Sequence, residues 1–403
     1  MAEVDRTAVT YRYELWRAVT GGILETAGST FLLLIAVRWY ESGASAKALL
    51  ASGSSVGLLL TPLVVQWVES SQCTPSRFIS RAFGLGALIC AVMAALPSPG
   101  VFIVGGVAAS SLMSAVVPLF TQIYQENYPQ HRRGRLFART VMIRIATAAV
   151  FSDLGGRLLS AHIGWFRGLL LIFGAAFALS AGWVARYPTM PLKGSGGRNP
   201  LRAWHYLRED RVFRQTLICW MLMGFANLMM YPMRVEYLAN PRYGLALSVS
   251  MIALLTGVIP NLARLVLSPI WGWLFDHMNF FVLRVVLNAG FAAGILTFFL
   301  SQTTWGLILG GVVFGVSLAG GDVAWSLWVT KFAPAGRVAD YMAIHTFFTG
   351  VRGVIAPMVA FHALSVITIG ALGWISAGMI VIASLMLLPE ARHRRDPSLA
   401  QPV

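Results

Sequence analysis

The chain has 403 residues, of which 57% are hydrophobic and 12% charged, and a formal net charge of +15. Soluble domains carry roughly 45–50% apolar and 25% charged residues, so an ordinary water-soluble fold is excluded. The basic residues punctuate apolar segments instead of gathering on one solvated face, which excludes nucleic acid as their partner, and Cys73, Cys90 and Cys219 have neither metal-ligand spacing nor a disulfide framework.

Met1 to Trp16 is polar and mixed in charge, without the basic, apolar and small-residue order of a cleavable signal peptide, so the first helix is expected to stay in the mature protein. A helix needs about 20 apolar residues to cross about 30 Å of hydrocarbon, because lipid offers no partners to unpaired backbone groups. Six such runs occupy 18–40, 46–68, 79–97, 101–125, 138–160 and 168–186. A polar stretch from Tyr187 follows, containing Pro188, Pro191 and the run Gly194–Ser195–Gly196–Gly197, with a helical pattern over Leu201–Arg214. Six further runs occupy 215–238, 246–275, 282–301, 305–332, 341–363 and 366–388, ahead of a tail with Arg392, Arg394 and Arg395.

The expected fold is an all-α integral membrane protein of twelve transmembrane helices. An N-terminal six-helix bundle covers 1–186, a linker with a short surface helix 187–214, and a second bundle with a basic tail 215–403. With the N-terminus in the cytoplasm, cytoplasmic segments collect about 22 of the 31 Lys and Arg residues, which predicts a multi-pass inner-membrane protein with both termini cytoplasmic. Trp39, Tyr40, Trp67, Trp183, Tyr187, Tyr237 and Trp305 fall near helix ends, where amphipathic rings anchor in the headgroup layer.

An internal repeat relates the halves. Thr61-Pro62, Glu69 and Arg77 recur at identical spacing as Ser268-Pro269, Asp276 and Arg284. Tyr128-Pro129 with Arg132, Arg133 and Gly134 parallels Phe332-Ala333-Pro334 with Gly336 and Arg337. Two repeated six-helix halves are an architecture of alternating-access carriers.

Gly272-Trp273-Leu274-Phe275-Asp276 resembles the loop signature of the major facilitator superfamily, and Arg132-Arg133-Gly134-Arg135 its Arg-Gly loop. Gly155-Gly156-Arg157 followed by Gly164-Trp165-Phe166-Arg167 resembles its turn between helices 5 and 6. The resemblance covers nearly the whole chain. It implies two pseudo-symmetric bundles rocking about a central path and a cytoplasmic gate at Glu69, Arg77, Arg133, Gly272, Asp276 and Arg337. His277 and Phe280 stand where the family prefers basic residues, and Val65 replaces a glycine in the first copy. Asp153 occupies the place of the Gly-Pro kink of drug/proton antiporters, so that signature is absent.

Ionisable groups inside a bilayer are expensive and mark functional candidates. Counted from the cytoplasmic helix ends, Glu25 and Arg144 lie about 12 Å deep, Asp322 about 15 Å, and Arg264 and Arg352 about 18 Å. The resemblance places their helices around or beside the central path, so one polar cavity is expected to hold all five. Three guanidiniums against two carboxylates leave it cationic and suited to a carboxylate, phosphate or sulfonate; structural ion pairing is the alternative. Glu25 is the candidate proton-coupling group, its protonation set by burial against a neighbouring Arg. Asp322 follows Gly320-Gly321, where a helix break is allowed for. Asn227 and Asn261 are candidate hydrogen-bonding residues, and His345 is read as a hydrogen-bonded packing residue. Asp153 with Arg157, and Arg234 with Glu236, are assigned to the opposite rim.

The function expected is secondary active, proton-coupled, or facilitative transport of a small organic anion by a monomer in the lipid bilayer, with protons as a further partner. Multidrug or metabolite efflux is the alternative, and a transport-like sensor a minor one. No nucleotide loop, His-Glu-x-x-His pair or extra soluble domain appears, so neither catalysis nor a cofactor is expected.

Overall fold

The structure, a computed structural model, describes residues 5–191, 206–328 and 338–392; for Glu69, Arg132, Arg133, Arg135 and Asp276 it describes the backbone alone. Twelve long helices are present among these residues. They are α1 (Arg6–Arg38), α2 (Ala44–Ser70), α3 (Pro75–Ala95), α4 (Pro99–Ala115 continued by Val117–Asn127), α5 (Gln130–Ala161), α6 (Phe166–Val184), α7 (Arg211–Ala239), α8 (Val249–Ala253 through Ile259–His277), α9 (Phe280–Phe299), α10 (Thr304–Leu327), α11 (Val338–Ala363) and α12 (Ile369–Arg392). Eleven are long and apolar enough to cross a membrane. The remaining one, α5, carries Arg139, Arg144, Asp153 and Arg157 along its length.

Helix starts follow local chemistry. Asp5 accepts from the Ala8 N–H at 3.1 Å, so α1 begins well before the apolar run and its polar first turns are helical. Ser98 accepts from Val101 with Pro99 at the first helical position, and Asn279 accepts from Phe281 at 2.8 Å to open α9. Of the linker, Tyr206–Glu209 is one helical turn; Gly194–Gly197 and Leu201–His205 lie outside the described residues, as do Arg394 and Arg395 of the tail.

Two compact units form. The first comprises 1–198 and 235–261, the second 199–234 and 262–403, so α7 and α8 each contribute to both. In the first, α3 packs on α6, α2 on α4, and α5 on α1. Both α1 and α8 contain a π-helical turn, Ala27–Phe31 and Leu254–Val258, and these turns touch through the Thr30 and Thr256 hydroxyls at 3.3 Å. Pro260 lies two residues beyond the second π turn, and widening the helix there accommodates its missing N–H.

In the second unit α9 packs against α10 and α12. Glycines carry the α9–α10 contact: a methyl on Gly310 would lie 2.7 Å from the Phe298 nitrogen, and one on Gly294 3.1 Å from that of Phe314. Pro357 lies inside the unbroken α11.

Candidate functional site

In the first unit, Glu25 near the middle of α1 meets Arg144 near the middle of α5, with Arg144 Nε 3.1 Å from Glu25 Oε2. This contact is an ion pair lacking aligned hydrogen-bond geometry at Nε. A methyl on Gly22 would overlap the Arg144 carbonyl and lie 2.7 Å from Thr147 Cβ, so the α1 and α5 backbones come together here and bring the charges into range. The Arg144 side chain stays 37% exposed and that of Glu25 27%.

In the second unit, Arg264 of α8 donates from Nε to Asp322 Oδ2 of α10 at 2.7 Å. Arg264 is 10% exposed and Asp322 48%. The glycines before Asp322 serve packing, since a methyl on Gly320 would meet Leu287 and Trp271, and α10 runs through this point without a break. Arg352 belongs to a different setting: it is buried and donates to the Trp220 carbonyl. Asn227 donates to Met223 Sδ at 2.9 Å, and Asn261 is half-buried in the first unit. Two of the three mid-helix arginines thus have carboxylate partners.

Among the expected gate residues, Arg77 is exposed in the first turn of α3 and Gly272 lies inside α8 with open space beside it. Glu69, Arg133 and Asp276 fall on α2, α5 and α8. Arg337, with the rest of 332–336, lies outside the described residues.

Arg234 and Glu236, both assigned to the rim, take separate partners. Arg234 stacks 4.4 Å from the Tyr231 ring centre and 4.3 Å from that of Phe314. Glu236 instead takes Lys47 of α2, whose Nζ lies 2.8 Å from both carboxylate oxygens. Lys47 is 7% exposed and Glu236 fully buried, with Asn240 donating to the same carboxylate at 2.8 Å. Sequence reasoning passed over Lys47, though a lysine inside an apolar run demands a partner. Asp153 and Arg157 do pair, at 2.8 Å on an exposed face of α5.

A second unforeseen network surrounds buried Glu14 of α1. Arg17 Nε donates to it at 2.7 Å, Tyr124 Oη at 2.7 Å, and Tyr187 Oη as well. Burial first, then the Glu14 charge, pushes the Tyr187 phenol well above its ordinary value, and Tyr128 is raised in the same way. His345 is fully buried against the Trp220, Trp325 and Trp328 rings, and neither ring nitrogen has a hydrogen-bond partner among the described residues. No group of three metal-ligating side chains occurs among the described residues.

A bundle of long apolar helices with paired charges at mid-helix belongs to the class of polytopic membrane carriers. Solved structures of that class share the fold. A point mutant of the nucleoside transporter NupG superposes with a TM-score of 0.76 at 13% identity, over 94% of this chain and 99% of that one. The xylose transporter XylE from E. coli, in a partially occluded inward-open conformation, gives 0.70 at 14% over 98% and 99%. A bacterial homolog of the human lysosomal transporter Spinster, inward-facing and occupied, gives 0.66 at 14% over 97% and 98%. No curated protein sequence matches the chain. The Major Facilitator Superfamily profile matches residues 18–279, and the chain belongs to that family of secondary transporters.

Proposed function

We propose that the protein carries a small organic anion by alternating access, with proton exchange at Glu25 as the coupling step. The observation that carries this reading is the half-exposed Glu25–Arg144 pair in the middle of two long helices. A carboxylate on the solute competes with Glu25 for the Arg144 fork, and protonation of the displaced Glu25 removes the penalty of leaving it charged in a poorly solvated place. Asp322 and Arg264 offer the same exchange on the second unit, Asp322 being its more open member. No covalent step is involved.

The wider assignment includes a monomer in the inner membrane, with cytoplasmic termini, six-helix halves over 1–186 and 215–403 joined by the 187–214 linker, and a gate formed by Glu69, Arg77, Arg133, Gly272, Asp276 and Arg337. The buried Lys47–Glu236 pair, which ties the start of α2 to the end of α7, supports a fastening at the opposite end from that gate.

A neutral solute is the second reading. It is favoured by the pairing of Arg144 with Glu25 and of Arg264 with Asp322, which leaves those four groups without net charge. Names among the structural neighbours, a nucleoside and a xylose transporter, point the same way.

Thermal unfolding of the detergent-purified protein against organic acids, sugars, nucleosides and amphipathic cations at two pH values tests the assignment, because a ligand of the folded state raises apparent stability by mass action. Stabilisation by an organic acid, stronger at the lower pH and lost in Arg144→Gln, is expected. Stabilisation by sugars or nucleosides alone would overturn the anionic reading.

A further inference from the structure

The second unit holds a cluster of buried polar groups several of whose atoms lack partners. Arg284, near the start of α9, places its guanidinium carbon 3.8 Å from the centre of the Trp220 ring on α7. Arg352, from the middle of α11, reaches the carbonyl of the same Trp220. The two arginines are 2% and 8% exposed. Arg284 Nη1, Arg352 Nε, Trp220 Nε1, Thr216 Oγ1 and both ring nitrogens of His345 have no partner among the described residues. The His345 ring lies 5.3 Å from that of Trp220, and Thr216 is one turn before Trp220 on α7. Arg284 also donates to Met223 Sδ at 3.1 Å, a weak acceptor.

Buried donors without partners are costly, and buried like charges more so. Arginine cannot relieve the cost by losing its proton. The ion pair described in this unit, Arg264–Asp322, engages a different guanidinium. What would complete the cluster is a compact negative acceptor with several oxygens, matched to the guanidinium forks, the indole N–H and the hydroxyl. The backbone is shaped for this arrangement: a methyl on Gly224, one turn beyond Trp220, would overlap the Arg352 guanidinium, so glycine at 224 admits it.

We propose that Arg284 and Arg352, with Trp220, Thr216 and His345, form an oxyanion site for a carboxylate or phosphate group. The group belongs either to the carried solute or to a lipid headgroup. Its role as a cargo subsite rests on the anionic reading above; anion binding does not.

The test is thermal unfolding of the delipidated protein in a neutral maltoside, titrated with inorganic phosphate, acetate and benzoate against chloride at equal ionic strength, and separately with phosphatidylglycerol. A saturable rise in Tm is expected for the native protein, lost in Arg284→Gln and Arg352→Gln. Without added anion those two variants should unfold at or above the native temperature, because each removes an unpaired buried charge. Gly224→Ala keeps both charges and should lose the rise too, which tests the site should the glutamine variants fail to fold. No rise with any soluble anion or with phosphatidylglycerol overturns the site, as does an unchanged rise in every folded variant. A rise with soluble anions assigns the site to a solute, and a rise only with phosphatidylglycerol assigns it to a headgroup. Organic-anion uptake that survives loss of the rise overturns the cargo role alone, whereas a persistent rise without such uptake overturns the transport reading and leaves the site standing.

Discussion

Removing Lys47 from the Lys47–Glu236 pair leaves a fully buried carboxylate with Asn240 at 2.8 Å and the half-exposed Arg242 at 3.7 Å. Breaking one side of a buried pair costs about 3–5 kcal/mol, against about 0–1 kcal/mol for a surface pair. Arg242 has room to swing in and offset part of the loss, so Lys47→Met is expected near the lower end, about 3 kcal/mol. Glu236→Gln leaves Lys47 buried with one amide oxygen as acceptor, a loss of similar size. The double variant buries neither charge and should fall within about 1 kcal/mol of the native protein, because an apolar or neutral replacement of a buried pair is often neutral. The assay is the apparent unfolding midpoint of the four proteins in one detergent at one scan rate, read as a double-mutant cycle. A double variant destabilised by the sum of the two single losses would refute the coupling.

Gly22→Leu should cost at least about 1–3 kcal/mol by overpacking α1 against α5, and should lower solute affinity by displacing Arg144 from Glu25; native stability would contradict the close approach. Thr30→Val removes the hydroxyl contact between the two π turns and should cost about 1 kcal/mol in the same scans. Tyr187→Phe loses a hydrogen bond to the Glu14 carboxylate and should cost about 1.5–3 kcal/mol near neutrality. Because the Tyr187 value is raised, the neutral phenol stabilises the fold fully below about pH 10 and its contribution fades as pH climbs through the raised value. The stability gap between variant and native protein should therefore close above about pH 10; a constant gap to higher pH would contradict this.

The helices were legible because lipid forces a single solution: each crossing must satisfy its own backbone, so length and apolarity reveal it. Boundaries slipped where polar chemistry extended a helix, most of all at α1, where Asp5 caps a polar first turn and Glu14 is held by Arg17, Tyr124 and Tyr187. Mid-helix charges were legible as candidates, and their partners only in part. Glu25 with Arg144 and Asp322 with Arg264 could be suspected from similar depth, since depth is one coordinate of position along parallel helices. Angle about the helix is the other, and it separates Arg352 from Arg264 and Arg234 from Glu236. Lys47 finds Glu236 at a sequence separation of 189, a contact no local spacing encodes. The π turns were invisible for a related reason: Pro260 could mark a kink, but the matching turn at Ala27–Phe31 contains no proline.

The most direct measurement is uptake of a labelled organic acid into proteoliposomes containing the purified protein, with and without an imposed proton gradient, beside a sugar and a nucleoside. Organic-acid uptake driven by the gradient is expected. Arg144→Gln and Arg264→Gln should abolish it, and Glu25→Gln should uncouple it from pH. Uptake of the neutral solutes alone, or anion uptake indifferent to both arginines, would contradict the proposed function.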